Sequence, residues 1–213
     1  MKRIVILISG RGSNLKAILQ STKNGTLNTE VAAVISNQKN AQGLDIAKEF
    51  GVNAISFDHK DFESRQTFDH QLIATIDELK PDLVVLAGFM RLLTDEFVEH
   101  FEGKLINIHP SLLPSFPGLK THEQALAKGV KWHGATVHFV SKEMDGGPII
   151  VQGVVPVLPG DTAEVLADRV LEIEHQIYVQ AIKWYLDDQI RLEKGIVSVI
   201  PTAPQFFAIN EKS

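Results

Sequence analysis

The chain has 213 residues, 44% of them apolar and 22% charged, with a formal net charge of −5 and a pI of about 5.9. That balance is globular and offers no broad basic surface, which argues against bulk nucleic-acid binding. There is no cysteine, which excludes disulfides, thiolate metal sites and cysteine nucleophiles, and fits a reducing compartment.

Lys2-Arg3 precede an apolar run that ends at Ile8, where Ser9-Gly10-Arg11 cut it short. The run is too brief for a signal or membrane segment and reads as a first strand, so the expected location is the cytoplasm. Ile4 to Ile8 is apolar without a break, the mark of a strand buried on both faces. Gly10-Arg11-Gly12-Ser13-Asn14 then turns into a helix from about Leu15 to Leu19. Val31 to Ile35 is a second strand, Leu44 to Phe50 a short helix stopped by Gly51, and Ala54-Ile55-Ser56 a third strand. Within Phe62 to Leu79, the residues Phe68, Leu72, Ile76 and Leu79 have the spacing of an amphipathic helix, which Pro81 ends. Leu83 to Ala87 is a fourth buried strand, with Gly88-Phe89-Met90-Arg91 as its exit loop. A short helix near Glu96 to Phe101 leads to a strand ending at His109.

This alternation predicts an α/β fold, a doubly wound and mostly parallel twisted sheet with helices on both faces. The pattern then changes. Ala135, Val137 and Phe139 alternate with Thr136, His138 and Val140, so one face is expected to be more apolar. Ile149 to Val157 is its expected partner, forming an antiparallel edge. Thr162 to Leu186 reads as one long C-terminal helix with a stripe at Leu166, Val170, Ile173, Ile177, Ala181 and Trp184. The proline-punctuated tail after Gly195 is expected to drape over the surface. A single domain is the simplest reading.

Three features carry chemistry. The loop Ser9-Gly10-Arg11-Gly12-Ser13-Asn14 joins a buried strand to a helix N-terminus, where backbone N–H groups and the helix dipole favour an anion. Leu15 stands where a dinucleotide fingerprint has its third glycine, Ser36 and Asn37 stand where its acidic residue would be, and no Gly-Lys-Ser/Thr follows. A phosphate monoester fits better than a dinucleotide. The alternative is a tight turn with Ser13 as helix cap.

The second feature is Asn107-Ile108-His109-Pro110-Ser111-Leu112-Leu113-Pro114. A strand has period two, so Asn107 and His109 share one side of it, where open sheets build their sites. His109 is a metal ligand, a satisfied core histidine or a proton donor. Metal needs more ligands, and His122, His133 and His138 are scattered without a His-Glu-x-x-His pattern. Asp145, in Asp145-Gly146-Gly147-Pro148, is either a turn aspartate bonding its own backbone or a charge partner for His109. The third feature is Glu174, whose helical neighbours Val170, Leu171, Ile177 and Tyr178 are largely apolar. It either pairs with a nearby cation or accepts hydrogen bonds from a polar ligand.

Taken together, Ile8 to Leu15, Leu86 to Arg91, Asn107 to Pro114, Phe116-Pro117-Gly118-Leu119 and Met144 to Pro148 resemble the phosphoribosylglycinamide formyltransferases, the folate-dependent glycinamide ribonucleotide transformylases of purine synthesis. The resemblance runs from Ile4 to about Trp184. It implies a Rossmann-like formyltransferase fold spanning 1–213 as a single domain. Residues 1–109 would be a mononucleotide-binding half, 110–195 a folate-binding and catalytic half with the long helix, and 196–213 a tail. It implies that Asn107, His109 and Asp145 are catalytic, and that Gly12, Ser13, Asn14 and Glu174 hold glycinamide ribonucleotide. Arg65, Met90, Arg91, Leu92, Leu93, Asn107, Val140 and Glu143 would meet the folate, and the loop from Val140 to Met144 would close over the pterin. The co-substrate implied is 10-formyltetrahydrofolate, without a metal. The partners implied are small molecules rather than nucleic acid or membrane, and a homodimer is compatible. A methionyl-tRNA formyltransferase would add a basic tRNA-binding domain, which a short acidic chain does not fit. A formyl-folate hydrolase would add a regulatory domain ahead of the first strand, whereas this sequence starts with that strand. A phosphate-ligand sensor would keep the glycine loop without needing the polar trio.

Overall fold

A computed structural model describes residues 1–209 of the chain. The chain divides into two compact units, Met1–Asn107 and a second beginning at Ile108. The first holds β1 (Lys2–Ile8), α1 (Ser13–Lys23), β2 (Thr29–Ser36), α2 (Gln42–Glu49), β3 (Ala54–Ser56), α3 (Arg65–Leu79), β4 (Leu83–Leu86), α4 (Asp95–His100) and most of β5 (Leu105–His109). A 3₁₀ turn at His59–Asp61 precedes α3.

The centre of this unit is β1. Ile4 to Ile8 are wholly buried, as expected for a strand covered on both faces. It pairs in parallel with β2 on one side and β4 on the other, β3 extends the sheet beyond β2, and β5 extends it beyond β4. The chain therefore steps outward to β3, returns across β1, and steps outward again. Such a reversal opens a crevice at the carboxyl ends of the two strands that flank it, here β1 and β4.

Capping explains where the helices begin. Ser64 accepts from the Thr67 N–H while the Thr67 hydroxyl accepts from the Ser64 N–H, so α3 starts at Arg65 rather than at Phe62. Phe62 instead packs edge-on against Phe68 at 5.3 Å. Helix α1 is longer than its apolar residues suggest and starts at Ser13, with Gly12 in the cap position at φ 79°, so Ser13 is not the cap.

The second unit holds the end of β5, then α5 (Thr121–Lys128), β6 (Trp132–Phe139), β7 (Ile149–Pro156), α6 (Ala163–Leu186), β8 (Ile190–Glu193), β9 (Ile196–Val199) and β10 (Phe206–Ala208). Strand β6 runs antiparallel to β7 as expected. Its two faces do not differ, since His133, Thr136 and His138 are as buried as their apolar neighbours. Hydrogen bonds make this tolerable: Thr136 Oγ1 donates to Ser111 O at 2.7 Å and accepts from Leu113 N at 3.0 Å.

Two expectations need correction. Helix α5 was not anticipated, because its interior is built on alanine and offers little apolar contrast. The tail does not drape: β8 and β9 form a hairpin, and β10 pairs in parallel with β7. The outer margin of β7 would otherwise leave backbone donors and acceptors unpaired, and Phe206–Ala208 satisfy them. The antiparallel pair β6–β7 is thus not the outermost feature of its sheet. Gln205 anchors the return, its amide donating to Ile150 O at 2.8 Å. Residues 210–213 of the expected tail lie outside the described residues. No helix among the described residues is long and apolar enough to cross a membrane.

Close backbone approach makes Gly134 a sensitive point. A Cβ there would fall on the Gly153 carbonyl oxygen, a backbone atom that cannot step aside without opening β6–β7. Gly134→Ala is expected to lower the unfolding free energy by more than about 3 kcal/mol in urea titrations. A wild-type midpoint for this variant would show that the two strands are not held this close.

Candidate functional site

In the first unit, the polar candidates gather at the strand ends. Gly12 takes the left-handed conformation that a side chain resists, and a Cβ on it would meet Gly43 Cα at 2.9 Å. Gly43 N–H donates to Gly10 O at 3.0 Å, so the loop is pinned to the start of α2. No side chain caps α1, and its first turn carries no acidic residue. Ser13 is half-buried, Asn14 is buried and Arg11 is exposed. An uncapped helix start behind a close-packed glycine turn is a suitable seat for a phosphate.

The exit of β4 lies in the same unit. Met90 N–H donates to Ser9 Oγ at 2.8 Å, which ties this loop to the glycine loop. The Met90 and Leu92 side chains are exposed, as a ligand-lining apolar pair would be. The Arg91 guanidinium lies 4.7 Å over the Phe68 ring, so its planar face is held even though its Nε has no hydrogen-bond partner among the described residues. Leu93 is half-buried. Arg65 is exposed at the first position of α3.

Asn107 and His109 lie two positions apart on β5, Asn107 in register with Leu86. The second unit surrounds His109 with acceptors. His109 is 6% exposed. Its Nδ1 lies 3.5 Å from Asp145 Oδ1, and its Nε2 lies 3.0 Å from Phe116 O. A neutral ring has one N–H and satisfies one of them, while the imidazolium has two and satisfies both. Asp145 stands at φ 54° on its turn, and its other oxygen accepts from Gly118 N–H at 2.9 Å. The aspartate is therefore turned toward the histidine and fixed there. Phe116 also has positive φ, 55°, an unusual conformation for an aromatic residue, in the short turn that carries its carbonyl to the ring.

The remaining candidates are dispersed over this unit. Glu174 is buried on α6, 8% exposed, among Val170, Ile177 and Tyr178. Val140 is half-buried at the end of β6, and Glu143 is exposed on the following turn, where its carbonyl accepts from Gly146 N–H. His138 is buried next to this turn, and burial holds its imidazole below the usual histidine range, while Asp145 pulls the other way. His122 and His133 meet at 3.2 Å, but among the described residues no three His, Asp or Glu side chains are arranged to hold a metal ion.

The family profile described as "Formyl transferase" matches residues 2–182. The chain is 48% identical over 192 residues to the phosphoribosylglycinamide formyltransferase of Escherichia coli K12, covering 90% of this chain and 91% of that protein. The crystal structure of the phosphoribosylglycinamide formyltransferase from Anaplasma phagocytophilum superimposes with a TM-score of 0.92 at 42% identity, covering 98% of each chain. Glycinamide ribonucleotide transformylase 1 from Symbiobacterium toebii gives 0.91 at 46% identity, covering 93% of this chain and 94% of that one. The chain belongs to the phosphoribosylglycinamide formyltransferase family.

Several contacts of these candidate residues were not foreseen from the sequence. The carbonyl of Phe116 and the N–H of Gly118 fix His109 and Asp145, yet backbone groups leave no trace in a side-chain pattern. Only the Phe116-Pro117-Gly118-Leu119 turn signal pointed there. Ser9 had a clearer signal, as a polar residue directly after five buried apolar ones. His109 Nε2 has a backbone acceptor in Phe116 O, the contact that the alternative of a satisfied core histidine would also make.

The histidine cluster gives the fold a pH dependence. Burial first, then His122 and His109, push the His133 imidazole down to about 4. Burial also lowers His122, His138 and His175. The unfolded chain titrates these groups near about 6.5, so its proton uptake outruns that of the folded state as pH falls. The stability is complete above that value and is lost progressively toward pH 4. Urea unfolding at about pH 7.5 and about pH 5 is expected to show this drop, and His133→Gln should flatten it. An equal drop in both proteins would remove His133 as a source.

Proposed function

We propose that this chain transfers the formyl group of 10-formyltetrahydrofolate to the amine of glycinamide ribonucleotide, within purine biosynthesis. The observation that carries the reading is the buried His109 held at 3.5 Å from an Asp145 that is itself anchored by Gly118 N–H. Family membership supplies the reaction class, and this pair supplies the group able to perform it.

In this reading Gly12, Ser13 and Asn14 seat the substrate phosphate, and Glu174 accepts from its amine or ribose side. Arg65, Met90, Arg91, Leu92, Leu93, Val140 and Glu143 hold the folate. The amine nitrogen bonds to the formyl carbon, and the carbonyl electron pair moves onto oxygen. His109, as imidazolium, exchanges its contact with Phe116 O for this developing oxyanion, and Asn107 supplies a second donor. Asp145, anchored by Gly118 N–H, orients the ring. The tetrahedral carbon then releases N10, which takes up a proton while the former amine loses one. Tetrahydrofolate leaves, and the formyl group remains on the new amide. Placing two substrates together and fixing the donors in advance supply most of the acceleration. The partners in this reading are small molecules, a homodimer is compatible with it, and cytoplasmic residence fits a chain without cysteine.

The test mixes the protein with formyl-folate, with and without glycinamide ribonucleotide. Folate release only with both is the expected result. Release without the amine would mean hydrolysis, and no release would mean a binding protein. Asn107→Ala is expected to lower kcat by about a hundred- to a thousandfold, the cost of one oxyanion donor. Asp145→Asn should lower kcat with little change in either KM, because it acts through His109 on the oxyanion, which develops only during transfer. A variant at either position with wild-type turnover would refute its role.

A further inference from the structure

Where β1 and β4 end stands one buried side chain that no role above absorbs. Ser9 is the first residue after β1 and is 7% exposed. Its N–H donates to Gly88 O at 3.1 Å, across the point where the strand order reverses. Its hydroxyl accepts from Met90 N–H at 2.8 Å and donates to Asn37 Oδ1 at 2.6 Å. Asn37, 3% exposed, is the first residue after β2, and its own carbonyl lies 3.0 Å from His59 Nδ1 and 3.4 Å from His59 N. A single hydroxyl thus joins the exits of β1, β2 and β4.

A backbone N–H must donate, so Ser9 Oγ must accept from Met90 and has its proton left for Asn37. The relay runs in one direction only, from Met90 through Ser9 to Asn37. Inside the sheet, ladder bonds set the spacing of β1 and β4 through Leu7 O and Ala87 N at 2.9 Å. Beyond Ala87 the ladder ends, and the Ser9 contacts are what continue it into the loops. On one side of Ser9 stands the glycine loop, and on the other stands Met90 with Arg91, Leu92 and Leu93.

We propose that Ser9 is a positioning residue that couples the phosphate-binding loop to the folate-binding loop, so that the conformation of one fixes the other. The proposal rests on the assignment of those loops under the proposed function. It concerns a residue that touches neither substrate. Its effect is felt in how both are bound, since a loop free to shift must be reordered each time a ligand docks.

The test compares Ser9→Ala with Asn37→Ala, and uses Thr29→Val as a control. Thr29, itself buried, lies at the opposite end of the β1–β2 pair, where its hydroxyl donates a part-buried hydrogen bond to Lys2 O at 2.9 Å. Steady-state kinetics on the full chain should show KM for both substrates rising about five- to tenfold in Ser9→Ala, the scale of one or two lost hydrogen bonds, while kcat moves less. Asn37→Ala should act in the same direction more weakly. Thr29→Val should lower the thermal midpoint and leave both KM values alone. A general loss of stability in Ser9→Ala with both KM values unchanged would overturn the proposal.

Hydrogen exchange separates this failure from failure of the function itself. The Met90 amide should exchange faster in Ser9→Ala than in wild type. Adding ribose 5-phosphate should slow exchange of residues 88–93 in wild type and have no such effect in Ser9→Ala. These two readings hold whether or not the wild-type protein transfers a formyl group. Equal protection of the Met90 amide in both proteins, or equal slowing of residues 88–93 by ribose 5-phosphate, would overturn the coupling.

Discussion

Burial of β1 on both faces is the constraint from which the first unit follows. A strand made of Ile4 to Ile8 has no side to show water, so parallel neighbours and covering helices are required. Parallel neighbours require crossovers, and every crossover leaves its strand at the same end of the sheet. Polar groups cannot be accommodated along β1 but can be accommodated immediately beyond it. That is why Ser9, Asn37 and the Gly88 turn cluster there, and why the same end offers an uncapped helix start at Ser13.

The second unit solves a different problem. It keeps an imidazole nearly out of water with a partner facing each ring nitrogen. Two acceptors do this, a carboxylate on Nδ1 and a backbone carbonyl on Nε2. The contrast with His133 is instructive. That ring is just as buried, but its neighbour is another histidine rather than a carboxylate, and burial drives it neutral. The positive φ at Phe116 and at Asp145 marks where the backbone was bent to bring acceptors to His109.

Much of this was legible in the residues, and the exceptions have physical causes. Continuous apolar runs located β1, β2 and β4, and the Leu105-Ile106 approach to Asn107 and His109 located β5. The 3.6-residue stripe located α6 almost to the residue, with Thr162 marking its cap. Helix α5 was hidden because alanine gives little periodic contrast. The alternation in β6 marked one face as more apolar but did not show that the polar Thr136 and His138 are buried as well. Their hydrogen-bond partners come from Ser111, Leu113, Gln152 and Phe139, most of them distant in the chain. The same limit hid β10, whose reason for pairing is the empty margin of β7 rather than anything in Phe206–Ala208. Candidate side chains were readable where type and spacing carry chemistry. Backbone partners such as Phe116 O and Gly118 N–H were not.

Two buried or half-buried aspartates of the second unit differ in partner more than in chemistry. Asp161 and Asp145 are both well-bonded aspartates that accept from a backbone N–H, at Leu158 and Gly118 respectively. Asp161 spends its charge on Arg169, at 2.6 and 2.9 Å, which in turn reaches Pro156 O and locks the end of β7 to the start of α6. That guanidinium is permanently charged, so the pair can do nothing but hold. Asp145 faces an imidazole, whose proton, in the proposed reaction, is shared with the reacting oxygen. The two carboxylates are chemically identical, and under that proposal only the partner that the fold sets before each separates the one that holds a structure from the one that serves a reaction.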